Sequence, residues 1–164
     1  RSLVGSEMCI RDRMRAAVEA AKDAGILVMA RTDCRPTLGI DEAVARIEMY
    51  VEEGADILFL DSPADEDEIR RTVEAAAGRP TFAVLSPGAK RETPTQQRAE
   101  ELGLKIGTYP TGMISPAAAG IVAGLEAFKE GKANADTALP FADLREKLGY
   151  GDYDATAKRF VVDD

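Results

Sequence analysis

Apolar positions along the chain follow two alternating patterns. Short unbroken apolar runs stand at residues 26–30, leading into Arg31, Thr32 and Asp33, and at residues 57–60, leading into Asp61, Ser62 and Pro63. Two further strands are read at 81–85, TFAVL, and at the more mixed 104–109, LKIGTY. A continuous run of this kind, bounded by glycine or polar residues, suits a strand buried on both faces. Between the runs, apolar residues recur at helical spacing: Met14, Ala17, Val18 and Ala21 ahead of the first strand, then Ala43, Ile47, Tyr50 and Val51 ahead of the second. The pattern predicts helices over 14–23, within 39–54, over 65–77 and over 94–102. Gly25, Gly54, Gly78 and Gly103 fall where helices end. The acid-rich start Asp65, Glu66, Asp67, Glu68 suits the positive end of a helix dipole.

Four strands alternating with helices at roughly 25–30 residues define an α/β fold with a parallel sheet. A doubly wound sheet and a (β/α)8 barrel both fit this rhythm. The absence of a Gly-rich dinucleotide fingerprint favours the barrel. A whole barrel needs roughly 250 residues, so four strands make half of one. Charged residues at the C-terminal strand ends, Arg31, Asp33 and Asp61, then stand where parallel α/β folds bind ligands.

The two ends of the chain read differently. Residues 1–13 look foreign, and their string SLVGSEMCIRDR resembles translated sequencing-adapter read-through found at the ends of metagenomic reading frames. The fold is therefore expected to start at Met14, and Cys9 is given no role. Beyond residue 109, a long Ala/Gly-rich helix is expected over 115–129, with Ser115 as its N-cap and Pro116 in its first position. A polar linker over 132–138, a short helix over 141–148, a turn over 149–154 and a last helix over 155–161 follow. The predicted division is 1–13, a barrel portion over 14–131, and a linker with a helical arm over 132–164.

Composition narrows the chemistry. The chain has 164 residues, 45% of them hydrophobic, which suffices for a real core. A formal net charge of −8 and the lack of a basic cluster argue against a nucleic-acid partner. No apolar stretch is long enough for a bilayer span. There is no histidine, so neither a Ser-His-Asp triad nor a histidine-ligated zinc can form, and acid–base work falls to carboxylates, Lys, Tyr or Cys. Two cysteines make no disulfide framework, which sets a reducing cytoplasm as the expected compartment.

ARTD at 30–33, followed by GIDEAVARIEMYVEEGADILFLDSP at 39–63, resembles the second half of the isocitrate lyase / phosphoenolpyruvate mutase superfamily. That superfamily includes 2-methylisocitrate lyases, oxaloacetate decarboxylases and carboxyphosphonoenolpyruvate mutases. The resemblance implies the C-terminal half of a (β/α)8 barrel followed by packing helices. It implies that Arg31 binds a substrate carboxylate or phosphonate, that Asp61 stands where the family usually has Glu, and that Thr32 and Asp33 support Arg31 from behind. Residue by residue, the alternatives are an Arg31 that only ties down its loop through Asp33, and an Asp61 that is a helix N-terminal acid or part of a loop salt bridge. Mg²⁺ is the implied cofactor, its ligands lying in the missing N-terminal half. No catalytic and no metal-ligating residue is assigned within this chain.

The implied activity is a lyase breaking a C–C bond of a small 2-hydroxy or 2-oxo di- or tricarboxylate. P–C bond phosphonomutase or phosphonate hydrolase chemistry and a non-catalytic α/β fragment are the alternatives. Val84 replaces an Asn common among the lyases, and the loop over 86–94 departs from theirs, which weakens a 2-methylisocitrate lyase reading. Lys90 and Arg91 in that loop read as solvated charges, and Cys34 as a small residue packed in a turn. Exchange of C-terminal helices between subunits is implied, with a homo-oligomeric parent protein, and the chain alone is expected to be inactive.

Overall fold

The computed structural model describes residues 7–85, 93–133, 136 and 138–160. Lys90 and Arg91 lie outside the described residues, as does the end of the last predicted helix. The chain divides into two compact units, residues 1–112 and 113–164, whereas the sequence placed its boundary after Gly131.

The first unit runs α1 (Glu7–Ala24), β1 (Met29–Thr32), α2 (Arg35–Glu52), β2 (Ile57–Leu60), α3 (Glu66–Ala75), β3 (Thr81–Val84), α4 (Gln96–Glu101) and β4 (Ile106–Thr108). The strands form one parallel sheet in the order β1-β2-β3-β4, so α2, α3 and α4 are each a crossover between neighbouring strands, while α1 precedes the first. The α/β reading with four βα repeats is what the structure shows.

Register and period-two alternation sort the strand residues into two faces. Ala30 pairs with Leu58 and Leu58 with Thr81, and all three are buried. They meet the helices, for Ala30 and Leu58 share a cluster with Ile47, Met49, Tyr50 and Ala76. The opposite face carries the row Arg31, Phe59, Phe82, Ile106. This corrects the expectation that the first strand is buried on both sides. In β1, Ala30 and Thr32 are buried while Met29 and Arg31 are exposed. The apolar run also starts before the strand does, for Ile26 and Leu27 are exposed and unpaired by the ladder.

The first helix corrects a second expectation. It begins at Glu7, within the segment that composition alone set apart. Ile10 is buried in the main core cluster with Met14 packed beside it. Ile10, Met14, Val18 and Ala21 are spaced four, four and three residues apart, one continuous helical stripe. Arg11 reaches Glu52 at 2.7 Å and Glu53 at 3.1 Å, and Arg15 reaches Glu53 at 3.1 Å, which ties α1 to the end of α2.

Within α2, Gly39 breaks the helical path with φ 84° and ψ 174°. That backbone conformation is open essentially to glycine alone. It separates the turn after β1 from the long amphipathic helix behind it.

In the second unit α5 spans Ile114–Lys129, α6 Phe141–Lys147 and α7 Tyr150–Lys158. The residue preceding α5 is Met113 rather than Ser115, and no side chain caps it. The predicted turn over 149–154 instead opens α7, with Gly149 in the left-handed conformation just before Tyr150. Glycine tolerates that φ, so the chain turns at one residue and resumes as helix.

Candidate functional site

The site forms where the C-terminal ends of β1 and β2 lie side by side. Beyond the last strand pair, Thr32 with Leu60, the Asp61 N–H still donates to the Thr32 carbonyl at 3.0 Å. That extra rung carries Asp61 level with the residues leaving β1.

Arg31 and Asp33 are two residues apart and so share a face. Arg31 Nε donates to Asp33 Oδ1 at 2.9 Å, and its Nη2 donates to the same oxygen at 2.6 Å. Nη2 also stands 3.0 Å from Asp61 Oδ1. Beneath the guanidinium, Cζ lies 4.8 Å from the centre of the Phe59 ring, within cation–π range. Phe59 is held by an edge-on contact with Phe82, centroids 4.6 Å apart. The Asp33 hydrogen bond pushes the Arg31 guanidinium above its ordinary pKa, with the charges of Asp61 and Asp33 adding to it, so Arg31 stays charged.

Asp61 is held in turn. Ser62 Oγ donates to Asp61 Oδ2 at 2.8 Å. Ser62 has φ 60°, a strained value for a residue with a Cβ, and such strain gathers at sites the surrounding structure over-determines.

Of the residues the sequence singled out, Arg31, Asp33 and Asp61 converge. Thr32 does not join them. It is buried on the helix face, and its hydroxyl donates to Cys34 Sγ at 3.2 Å while accepting from the Cys34 N–H at 3.5 Å. Cys34 is likewise buried in that turn. Tyr50 reaches the Arg31 carbonyl from α2 at 3.5 Å, and burial pushes its hydroxyl above the ordinary tyrosine value, so it remains a donor.

Sequence reasoning missed Phe59 and Ser62. The signal for Phe59 was present: it lies two residues before Asp61, which continues the line of β2 by one rung, and so faces the same way. Phe59 and Ser62 also border a cavity of about 330 Å³ with Asp65, Ile69, Val84 and Thr93. The first turns of α2 and α3, which follow the two strands, are tied together by Arg35, which meets Glu68 through two 2.8 Å hydrogen bonds. Glu68 also accepts the Ala64 N–H at 2.6 Å.

Arg31 beside two carboxylates leaves the cluster with a formal charge of −1. Asp33 and Asp61 are both engaged with that arginine, and among the described residues no group of three or more His, Cys, Asp or Glu side chains could hold a metal ion. Arg31, Asp33 and Asp61 by themselves do not fit a metal site. Among the described residues, no helix is long and apolar enough to cross a membrane.

Comparison with known proteins decides the family. The family described as phosphoenolpyruvate phosphomutase matches residues 5–129. The chain belongs to that family. A 2,3-dimethylmalate lyase of Eubacterium barkeri is 35% identical over 154 residues, covering 90% of this chain and 53% of that protein. A chloroplastic carboxyvinyl-carboxyphosphonate phosphorylmutase of Arabidopsis thaliana is 27% identical over 148 residues, covering 87% of this chain and 43% of its own length. A crystal structure of 2,3-dimethylmalate lyase superposes with a TM-score of 0.77 at 26% identity, over 94% of this chain and 55% of that one. The resemblance to the isocitrate lyase / phosphoenolpyruvate mutase superfamily therefore holds, and the four βα units are half of a (β/α)8 barrel. The chain spans about half the length of these relatives. The match also includes residues 5–13, the stretch expected to stand apart.

Proposed function

We propose that this chain is part of a lyase that cleaves a C–C bond of a small 2-hydroxy or 2-oxo carboxylate, with Arg31 binding one substrate carboxylate. The observation that carries the reading is the placement of Arg31. It is a permanently charged, half-exposed guanidinium at the C-terminal end of a barrel strand, on the face away from the helices, with its Nη1 side unbonded among the described residues. Charge-assisted N–H···O bonds to a carboxylate are strong, and with Nη2 engaged by Asp33 and Asp61 it is the Nη1 N–H groups that offer them. The alternative in which Arg31 ties its loop to Asp33 describes the Nε–Nη2 edge of the same guanidinium and leaves Nη1 for a ligand. C–C rather than P–C chemistry is favoured because the lyase relative is 35% identical and the phosphorylmutase 27%.

Arg31 orients the substrate and offsets one of its charges. Asp33 and Asp61 fix the direction of the guanidinium, and Phe59 excludes water from beneath it. Because the cluster is formally −1, a dianionic substrate needs further positive charge from outside these residues. Mg²⁺ dependence belongs to the same proposal, its ligands coming from outside this chain. The test is Arg31→Lys in the longer protein that contains this chain, assayed for release of the 2-oxo product. Lysine keeps the charge and loses the fork. The expected loss in kcat/KM is about 30-fold, equivalent to roughly 2 kcal/mol for a charge-assisted hydrogen bond. Near-normal kcat/KM would make Arg31 structural.

A further inference from the structure

The sheet register sets Arg31 beside Phe59 and Phe59 beside Phe82. We infer that Phe59 is a positioning residue, an aromatic seat that holds the Arg31 guanidinium in the plane where its Nη1 side meets a carboxylate. The inference rests on the reading of Arg31 as a carboxylate-binding residue.

Three sides of the guanidinium are accounted for. Asp33 takes the Nε–Nη2 edge at 2.9 and 2.6 Å, Asp61 stands 3.0 Å from Nη2, and the Phe59 ring covers one face at 4.8 Å. Nη1 has no partner among the described residues. In-plane carboxylates alone do not fix the tilt of the guanidinium, because the plane can still rock about its hydrogen bonds. A ring pressed on one face removes that freedom. Phe59 suits the task because it is itself fixed, being 5% exposed and held by the edge of Phe82 at an interplanar angle of 62°. An aliphatic side chain of similar size would fill the space but present no negative π-face to the cation.

The experiment is NMR of the Arg31 side chain in the longer protein that contains this chain, where the further positive charge is present, with oxalate as the probe. The Arg31 Nε–Hε and Hδ resonances are assigned by their loss in Arg31→Lys. In the wild type they should be displaced upfield by the Phe59 ring current. Phe59→Leu should return them to ordinary positions, and Phe59→Tyr, which keeps the ring, should preserve the displacement. Oxalate should move the same resonances. Its affinity should fall about two- to fivefold in Phe59→Leu and recover in Phe59→Tyr, the range expected of an exposed cation–π contact. Undisplaced Arg31 resonances in the wild type overturn the inference whatever the variants do. Oxalate that leaves displaced resonances unmoved overturns the carboxylate reading of Arg31, and with it any positioning role toward that ligand. Equal oxalate affinity in the wild type and Phe59→Leu overturns the positioning role alone.

Discussion

Deleting residues 1–13 separates composition from structure most sharply. By composition the segment is foreign and its removal should leave the thermal midpoint unchanged. The structure makes it the first turns of α1. Ile10 is 8% exposed in the main core cluster, so its loss forfeits most of the burial of one large aliphatic side chain, about 1.5–3 kcal/mol. Arg11 pairs with Glu52 and Glu53 at the surface, where solvent screens the pair and it adds little. The expected loss is therefore about 1.5–3 kcal/mol, set by Ile10. At about 2–4 °C per kcal/mol for a chain of this size, the midpoint should drop by roughly 3–12 °C.

Circular dichroism melts of the full chain and the deletion measure this directly. Two single variants apportion it: Ile10→Ala should carry most of the drop, and Arg11→Ala little. A deletion whose midpoint agrees with the full chain to about 1 °C would refute the packing argument and return the segment to the status that its composition suggests.

Other consequences follow from the same geometry. Thr81 Oγ1 is buried with no hydrogen-bond partner among the described residues, so Thr81→Val, nearly isosteric and apolar, should raise stability by about 1 kcal/mol; a lower denaturation midpoint would mean the hydroxyl has a partner. Hydrogen bonds from Arg15, then Arg11, hold the Glu53 carboxyl below its ordinary range. Its folded pKa is thus depressed relative to the unfolded value of about 4.3, so its contribution is present above that value and disappears as pH falls through the lower folded one. Urea midpoints should show wild type more stable than Glu53→Gln at pH 7, with the gap closing below about pH 4; a gap constant with pH would rule out this linkage. The sheet has two edge strands, β1 and β4, each with an unpaired row of backbone groups. The 164-residue chain should therefore elute from size exclusion as a self-associated species, and it should release no 2-oxo product from a 2-hydroxy dicarboxylate at saturating Mg²⁺. A monodisperse monomer, or turnover, would contradict the respective half of that expectation.

Element type was legible because each βα repeat carries its own local signal: an apolar run, a helical stripe, a glycine stop. Boundaries were less so. Residues 26–28 are as apolar as those of β1, yet the ladder joins Met29–Thr32 to Ile57–Leu60, and strand length is set by the partner rather than by hydrophobicity. The start of α1 was hidden for a different reason. An unfamiliar composition outweighed a regular stripe through Ile10, and periodicity was the sounder guide, since burial depends on where a side chain points.

The site was half legible for a reason that lies in the sheet. Arg31 and Asp33 show their common face by spacing alone. Asp61 and Phe59 meet Arg31 only through the parallel register, which no local pattern encodes. Once the register is known, one parity rule sorts the rest: Ala30, Leu58 and Thr81 face the helices, and Arg31, Phe59 and Phe82 face the other way. On that second face the ion-paired groups stand at the strand ends with aromatic rings directly beneath. Apolar rings under a charged group displace water from one side of it, which lowers the local dielectric and strengthens what the open side can bind. The same rings restrict the guanidinium to one plane. Affinity and direction at Arg31 therefore share one origin, the alternation of strand residues at the paired ends of β1 and β2.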